Sequence, residues 1–236
     1  GALTSAPPAL PLGSRARLIV PRTPMTTVET ANVLGLWPGQ DPKLSSEVLI
    51  VGAHYDHLGW LPDGAYFPGA NQNASGIAAM LELIHLWREE GYQPARSVLF
   101  AAWGAEERDS AGVAHYLADP VVPLTRTVGV VSLDSIADGG GYRLWFLGNQ
   151  ENEAPLSYRL EASAAQLDRD AWRKGASHEG WHALFSRFGM PSVKLTWAEA
   201  EDLAPRLNDT ADNIDPTRLA NSGEILTLAV SWLAGE

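Results

Sequence analysis

The sequence predicts an α/β fold, a three-layer α/β/α sandwich with a mostly parallel central sheet. Short apolar or β-branched segments alternate along the chain with segments of helical periodicity, as expected when strands and helices follow one another. Several segments are apolar at consecutive positions, as in Val48-Leu49-Ile50-Val51, which is typical of strands covered by helices on both faces. At 236 residues the chain is long enough to bury a sizeable core.

The elements follow from these patterns in chain order. Strands are predicted over residues 16–20, 31–36, 48–53, 97–102, 128–133, 143–147 and 192–196. A long helix is predicted after Asn73-Ala74-Ser75, where apolar residues recur at helical spacing until Gly91 acts as a stop signal. Shorter helices are predicted over residues 111–117, 155–167 and 223–233. Residues 1–14 are rich in Pro and Ala and are predicted as an irregular lead-in, which leaves residues 15–236 as a single domain.

Composition excludes several classes of function. With 17 Lys and Arg against 28 Asp and Glu, the formal charge is −11, so the chain should repel polyphosphate and is not expected to bind nucleic acid. No apolar run approaches the roughly 20 residues of a membrane-spanning helix, so membrane insertion is not expected. Cysteine is absent, which excludes disulfides, cysteine-ligated zinc and thiol catalysis.

Polar residues follow several predicted strands, at the edge where parallel sheets bind their ligands. His54 and Asp56 come after the strand over residues 48–53, and alternation along a strand lets both point to one face. Asp56 could fix the second ring nitrogen of a metal-bound His54. A histidine at a strand end is also commonly structural, and this alternative stays open.

Three further segments carry candidate residues. The polar loop 69–76 leads into the long helix, where Asn or Ser could simply act as the helix cap. Glu106 and Glu107 could divide labour, one holding a metal while the other takes a proton from water, although paired glutamates also occur on ordinary surfaces. Asp134 ends an apolar strand and therefore needs a partner, of which a metal is one.

In their order, these motifs resemble the zinc aminopeptidases of the bacterial leucine aminopeptidase and aminopeptidase Y type, with glutaminyl cyclase and the transferrin receptor as relatives. The resemblance runs from about residue 30 to the end of the chain. It is carried by Val51-Gly52-Ala53-His54-Tyr55-Asp56-His57-Leu58-Gly59, Pro68-Gly69-Ala70-Asn71-Gln72-Asn73-Ala74-Ser75-Gly76, Ala102-Trp103-Gly104-Ala105-Glu106-Glu107, Leu133-Asp134, Gly189-Met190-Pro191-Ser192-Val193 and Asp209-Thr210-Ala211-Asp212-Asn213.

The resemblance implies a zinc-exopeptidase-like fold and a site for two metal ions. His54 and Asp134 would bind the first metal, with Asp56 supporting His54. Glu107 would bind the second metal, and Glu106 would be the general base for the attacking water.

Two of the five metal-ligand positions are replaced in this sequence. Gln72 stands where the family carries the aspartate that bridges both metals, and Pro205 stands where it carries the last histidine ligand. Since the loss of even one supporting partner typically weakens metal binding by about 10–100-fold, one zinc ion or none is expected rather than two. The glutaminyl cyclase site is also excluded, because it uses both replaced positions. Glu199, Glu201, Asp202 or a recruited His182 could compensate, although an acidic run is commonly a solvated loop and His182 could be a supporting or substrate-binding residue.

Two functions remain open on these residues. The first is a peptidase homologue that binds peptide or protein with weak or no hydrolysis. The second is an active metallo-aminopeptidase that removes N-terminal residues with a single metal or substituted ligands. Trp60, Trp103, Trp181 and Trp197 flank the motifs and could line a peptide pocket or pack in the core. Oligomeric state is left open, and an extracytoplasmic or secreted location is the favoured expectation because many relatives are exported.

Overall fold

The computed structural model describes residues 17, 27–139, 142–148, 154–176, 180–197 and 206–235, except for the side chains of residues 154 and 176. These residues form a seven-stranded sheet and five α-helices. The strands are β1 (Val33–Trp37), β2 (Val48–His54), β3 (Ser97–Trp103), β4 (Thr127–Leu133), β5 (Leu144–Gly148), β6 (Ala171–Ala176) and β7 (Ser192–Thr196). The helices are α1 (Ser75–Glu89), α2 (Ala111–Ala118), α3 (Ala154–Gln166), α4 (His182–Arg187) and α5 (Pro216–Gly235).

The sheet has the strand order β1-β3-β2-β4-β7-β5-β6 and is mostly parallel. Strands β3, β2, β4 and β7 run in one direction, whereas β1 is antiparallel to β3 and β5 is antiparallel to β7. The outermost strand β6 runs parallel to β5. The predicted mostly parallel sheet is therefore confirmed, with antiparallel pairings towards its two sides.

Alternation along β2 explains the three layers. Leu49 and Val51 belong to one buried cluster, with apolar residues of α1, α3 and α5, whereas Val48 and Ile50 belong to a second cluster with residues of α2 and α4. A strand that is apolar on both faces buries both only between two helical layers. Trp103, Trp181 and Trp197 pack in these clusters, so the core alternative applies to them, while Trp60 is 75% exposed.

Two elements were not predicted. Strand β6 is an edge strand with exposed Trp172, Arg173 and Lys174, so it lacks the apolar run that marks a buried strand. Helix α4 has only 6 residues, too few for a clear helical period. The predicted strand 16–20 and the lead-in 1–14 lie outside the described residues, apart from position 17.

Helix α5 begins at Pro216, seven residues before the predicted start at Gly223. The carboxylate of Asp215 accepts the backbone N–H groups of Thr217 (2.8 Å) and Arg218 (3.2 Å), which is the geometry of an N-cap. Asp-Pro at a helix start is a recognisable signal that the apolar pattern alone missed. None of the described helices combines the length and apolar character needed to cross a membrane.

Candidate functional site

The candidate site lies at the carboxyl ends of the central parallel strands. His54 is the last residue of β2, in register with Trp103 at the end of β3, and Asp134 directly follows β4. Glu106 and Glu107 lie in the turns between β3 and α2. The sheet therefore brings together the five residues that the motifs single out: His54, Asp56, Glu106, Glu107 and Asp134.

His54 is buried, and its own loop fixes its ring. The ring Nδ1 donates to the backbone carbonyl oxygen of Asp56 at 3.0 Å, and the Asp56 carboxylate lies further away, at 3.8 Å. The support predicted for His54 from Asp56 therefore comes mainly through the backbone. When Nδ1 carries the ring hydrogen, Nε2 is unprotonated and its lone pair is available to a ligand.

The Asp56 carboxylate instead holds the loop that carries the two glutamates. Its oxygens accept the backbone N–H groups of Glu106 (3.0 Å) and Glu107 (3.3 Å). Glu107 is held a second time, because His57 Nδ1 donates to its Oε1 at 2.7 Å. Asp56 and His57 therefore position the acidic pair relative to β2.

Glu106 is the carboxyl group best placed to accept a proton. Burial raises the pKa of Glu106 most. The charge of His54 lowers it, but the negative charges of Asp134, Glu107 and Asp56 raise it again, and the resulting pKa lies above the ordinary glutamate value. Ser110 donates its hydroxyl hydrogen to Oε1 at 3.3 Å. A raised carboxyl pKa is what a general base working near neutral pH requires.

Asp134 carries a contact that the motifs do not indicate. The ammonium of Lys194, from the middle of β7, lies 3.5 Å from its Oδ2, and Ser135 donates to its Oδ1 at 3.1 Å. Burial acts to raise the pKa of Asp134, but the charges of Lys194 and His54 and the two hydrogen bonds outweigh it and hold the pKa below the ordinary value. Asp134 is therefore an ionised carboxylate that already has a cation beside it.

The polar loop 69–76 is tied to the end of β4 by its side chains. Asn73 donates to the carbonyl of Leu133 at 2.7 Å, and the side-chain oxygen of Asn71 accepts the N–H groups of Ala137 (2.9 Å) and Asp138 (3.0 Å). Helix α1 starts without a side-chain cap. The alternative that Asn or Ser caps this helix is therefore wrong, because these side chains bond to the neighbouring strand end.

Asp209 fixes the backbone at position 72. Its carboxylate is buried and accepts the N–H groups of Asn71 (2.8 Å) and Gln72 (3.0 Å). The peptide bond between Gln72 and Asn73 is cis. The two hydrogen bonds from Asn71 and Gln72 to Asp209 anchor the loop backbone at position 72.

Of the remaining predicted residues, only His182 belongs to the part of the chain that the structure describes. Pro205 and the acidic residues Glu199, Glu201 and Asp202 lie outside the described residues. His182 begins α4 and has no exposed surface, so contact with a substrate would require its neighbours to move. Within the described ranges, no three His, Asp or Glu side chains are grouped so as to hold one metal ion.

Sequence reasoning missed Lys194, His57 and Asp209 as parts of the site. Lys194 had a visible signal, since it interrupts an otherwise apolar buried strand and a lysine there needs a partner. His57 and Asp209 lay within the quoted motifs, but the spacing of a motif does not reveal which groups its side chains bond.

Comparison with known proteins identifies the family to which the chain is related. Residues 32–230 match the sequence pattern of Peptidase family M28. Aminopeptidase YwaD of Bacillus subtilis is 27% identical over 215 residues, which cover 87% of this chain and 45% of YwaD. Human transferrin receptor protein 2 is 25% identical over 267 residues, which cover 100% of this chain and 31% of the receptor.

Among solved structures, a zinc aminopeptidase from Bacillus subtilis superimposes with a TM-score of 0.74 at 22% identity, covering 87% of this chain and 50% of that one. At this identity the likeness establishes the zinc-exopeptidase fold. The chain spans less than half the length of YwaD and of the receptor. With a match over residues 32–230, the chain belongs to peptidase family M28, as a homologue of aminopeptidase type.

Proposed function

We propose that this chain binds peptide or protein through a degenerate aminopeptidase site and hydrolyses peptide bonds weakly or not at all. The observation that carries the proposal is Gln72, which stands at the position of the bridging carboxylate. An amide is neutral and cannot link two dications as a carboxylate does, and its oxygen suits calcium better than zinc.

The described donors do not fit a two-zinc centre. The Asp134 carboxylate faces the ammonium of Lys194, and one oxygen of Glu107 accepts the N–H of His57. The described residues hold no grouping of three donors for one metal. We therefore assign no catalytic step to a metal and give His54, Glu107 and Asp134 a structural role in shaping the site.

Exposed aromatic side chains in the segment that follows β2 support peptide binding. Tyr55, Trp60 and Tyr66 are 47%, 75% and 50% exposed and follow His54 closely in the chain. The rings of Trp60 and Tyr66 lie 5.0 Å apart, so they form one continuous surface. Exposed apolar patches of this kind are characteristic of interaction surfaces, and aromatic residues dominate their energetics.

Binding of short peptides with a free N-terminus, measured by calorimetry, tests this proposal. We expect Trp60→Ala to weaken binding by on the order of 10-fold, as for an aromatic residue that anchors an interface. Trp172→Ala is the matched control, because Trp172 is 56% exposed but lies on the edge strand β6. No detectable binding, or equal effects of the two substitutions, would refute the proposal.

An active single-metal aminopeptidase is the second candidate, and Glu106 favours it. Its raised pKa and its position among His54 and Asp134 are those of a retained general base. Hydrolysis of aminoacyl-nitroanilides that is abolished both by a chelator and by Glu106→Gln would establish this candidate. Absence of turnover supports the degenerate site, and turnover that survives Glu106→Gln would contradict the assignment of Glu106 as the base.

A further inference from the structure

Lys194 is placed where a lysine is rarely found. It lies in the middle of β7, whose residues Ser192, Val193, Leu195 and Thr196 are all buried, and its side chain is only 5% exposed. Removing an ammonium group from water is strongly unfavourable unless an opposite charge compensates it. The position of Lys194 is therefore explained only by a charge partner inside the fold.

That partner is Asp134, on the neighbouring strand end. Lys194 Nζ lies 3.5 Å from Oδ2, and the other carboxylate oxygen accepts the Ser135 hydroxyl hydrogen at 3.1 Å. Both oxygens of Asp134 are thus engaged. The Lys194 ammonium supplies positive charge at Asp134, and Asp134 is the carboxylate that the resemblance assigns to the first metal.

Gly180 lies beside both the Lys194 ammonium and the His182 ring. A Cβ atom placed on it would lie 3.9 Å from Lys194 Nζ and 3.5 Å from His182 Nδ1. Of the described titratable groups, His54 and Glu106 interact electrostatically with Asp134, and His182 lies beside Gly180. A divalent ion on Asp134 would be repelled by an ammonium at this distance.

We propose that Lys194 is the resident cation of this site. Its ammonium takes the charge position on Asp134 that the family gives to the first metal, and it excludes zinc even when a carboxylate is restored at position 72. This inference rests on the proposed function, in which the metal centre is degenerate, and it identifies Lys194 as one cause of that degeneracy.

Zinc uptake by four chains tests the inference: the wild type, Gln72→Asp, Lys194→Met and the double variant. Each is incubated with zinc and dialysed, its zinc content is measured by mass spectrometry, and its affinity is measured by competition with a chromophoric chelator. We expect the wild type and Gln72→Asp to retain almost no zinc. The double variant should retain about one ion per chain and bind zinc at least about 10-fold more tightly than Gln72→Asp.

Lys43→Met, combined with Gln72→Asp, is the control for net charge, because Lys43 is exposed and remote from the site. This control should remain free of zinc. Zinc bound by Gln72→Asp as tightly as by the double variant would overturn the inference and leave the proposed function standing. Zinc bound by the wild type together with aminopeptidase activity would overturn both.

A measurement on the wild type keeps the inference testable if the variants fail to fold. The chain has only three lysines, so the ammonium resonance of Lys194 can be assigned by NMR with nitrogen labelling and by comparison with Lys43→Met and Lys174→Met. A slowly exchanging Lys194 signal that zinc leaves unchanged supports a resident cation. Displacement of this signal by stoichiometric zinc would overturn the inference.

Discussion

Replacement of Lys194 by Met leaves the Asp134 carboxylate buried without its ammonium. At 3.5 Å, and with an effective dielectric constant of about 20, the Coulomb attraction that is lost is on the order of 5 kcal/mol. Measured losses on removing one partner of a buried pair are about 3–5 kcal/mol. We therefore expect Lys194→Met to lower the free energy of unfolding by several kcal/mol, and Asp134→Asn to have an effect of similar size.

The double variant Asp134→Asn with Lys194→Met should lose much less than the sum of the two single losses, because neither charge is then left alone. Urea unfolding followed by tryptophan fluorescence gives all the free energies of this cycle at neutral pH. A coupling energy of at least about 2 kcal/mol is expected. Additivity within about 0.5 kcal/mol would refute the ion pair, and with it the compensation of Asp134 by Lys194.

Three further predictions concern the framework of the site. Gly112→Ala should destabilise the protein by about 1–3 kcal/mol in thermal unfolding, because a Cβ atom there overlaps the carbonyl oxygen of Gly104. Gly223→Ala in α5 meets open space and should stabilise the protein by about 0.5–1 kcal/mol, so equal effects of the two substitutions would contradict the close packing at Gly112. Asp209→Ala should cost about 2–4 kcal/mol in urea unfolding, because two backbone N–H groups lose a charged acceptor; a neutral effect would contradict its anchoring role. Burial raises the pKa of Tyr116 to about 12, so the wild type should lose stability relative to Tyr116→Phe as the pH rises above the ordinary tyrosine pKa of about 10. Chemical unfolding at several pH values measures this, and a stability difference between the two proteins that does not change with pH would contradict the prediction.

The buried part of the sheet could be predicted because its strands are apolar on consecutive residues. The segment 192–196 was predicted to the residue, and 48–53 ends one residue before β2 does. The exposed edge strand β6 could not be predicted in this way, since its polar residues carry no burial signal. The apolar pattern does not predict the start of α5, because its first turn is polar and the start is set by the Asp215 cap.

The clustering of the five motif residues could be predicted because parallel strands end at one edge of a sheet. How they are held could not. The motif predicts Asp56 behind His54, yet its carboxylate bonds to backbone N–H groups 50 residues along the chain, at Glu106. Such contacts depend on the path of two loops in space, which neither periodicity nor spacing describes. Lys194 is different, because a charge inside an apolar strand is visible in the sequence itself.

Zinc content of the wild-type chain is the measurement that tests the degenerate site most directly. The protein would be incubated with excess zinc, dialysed extensively and assayed for metal per chain by plasma mass spectrometry. With Gln72 in the loop and Lys194 beside Asp134, we predict a value close to zero. A value of one or two ions per chain would contradict the account and would show that other side chains complete a metal centre.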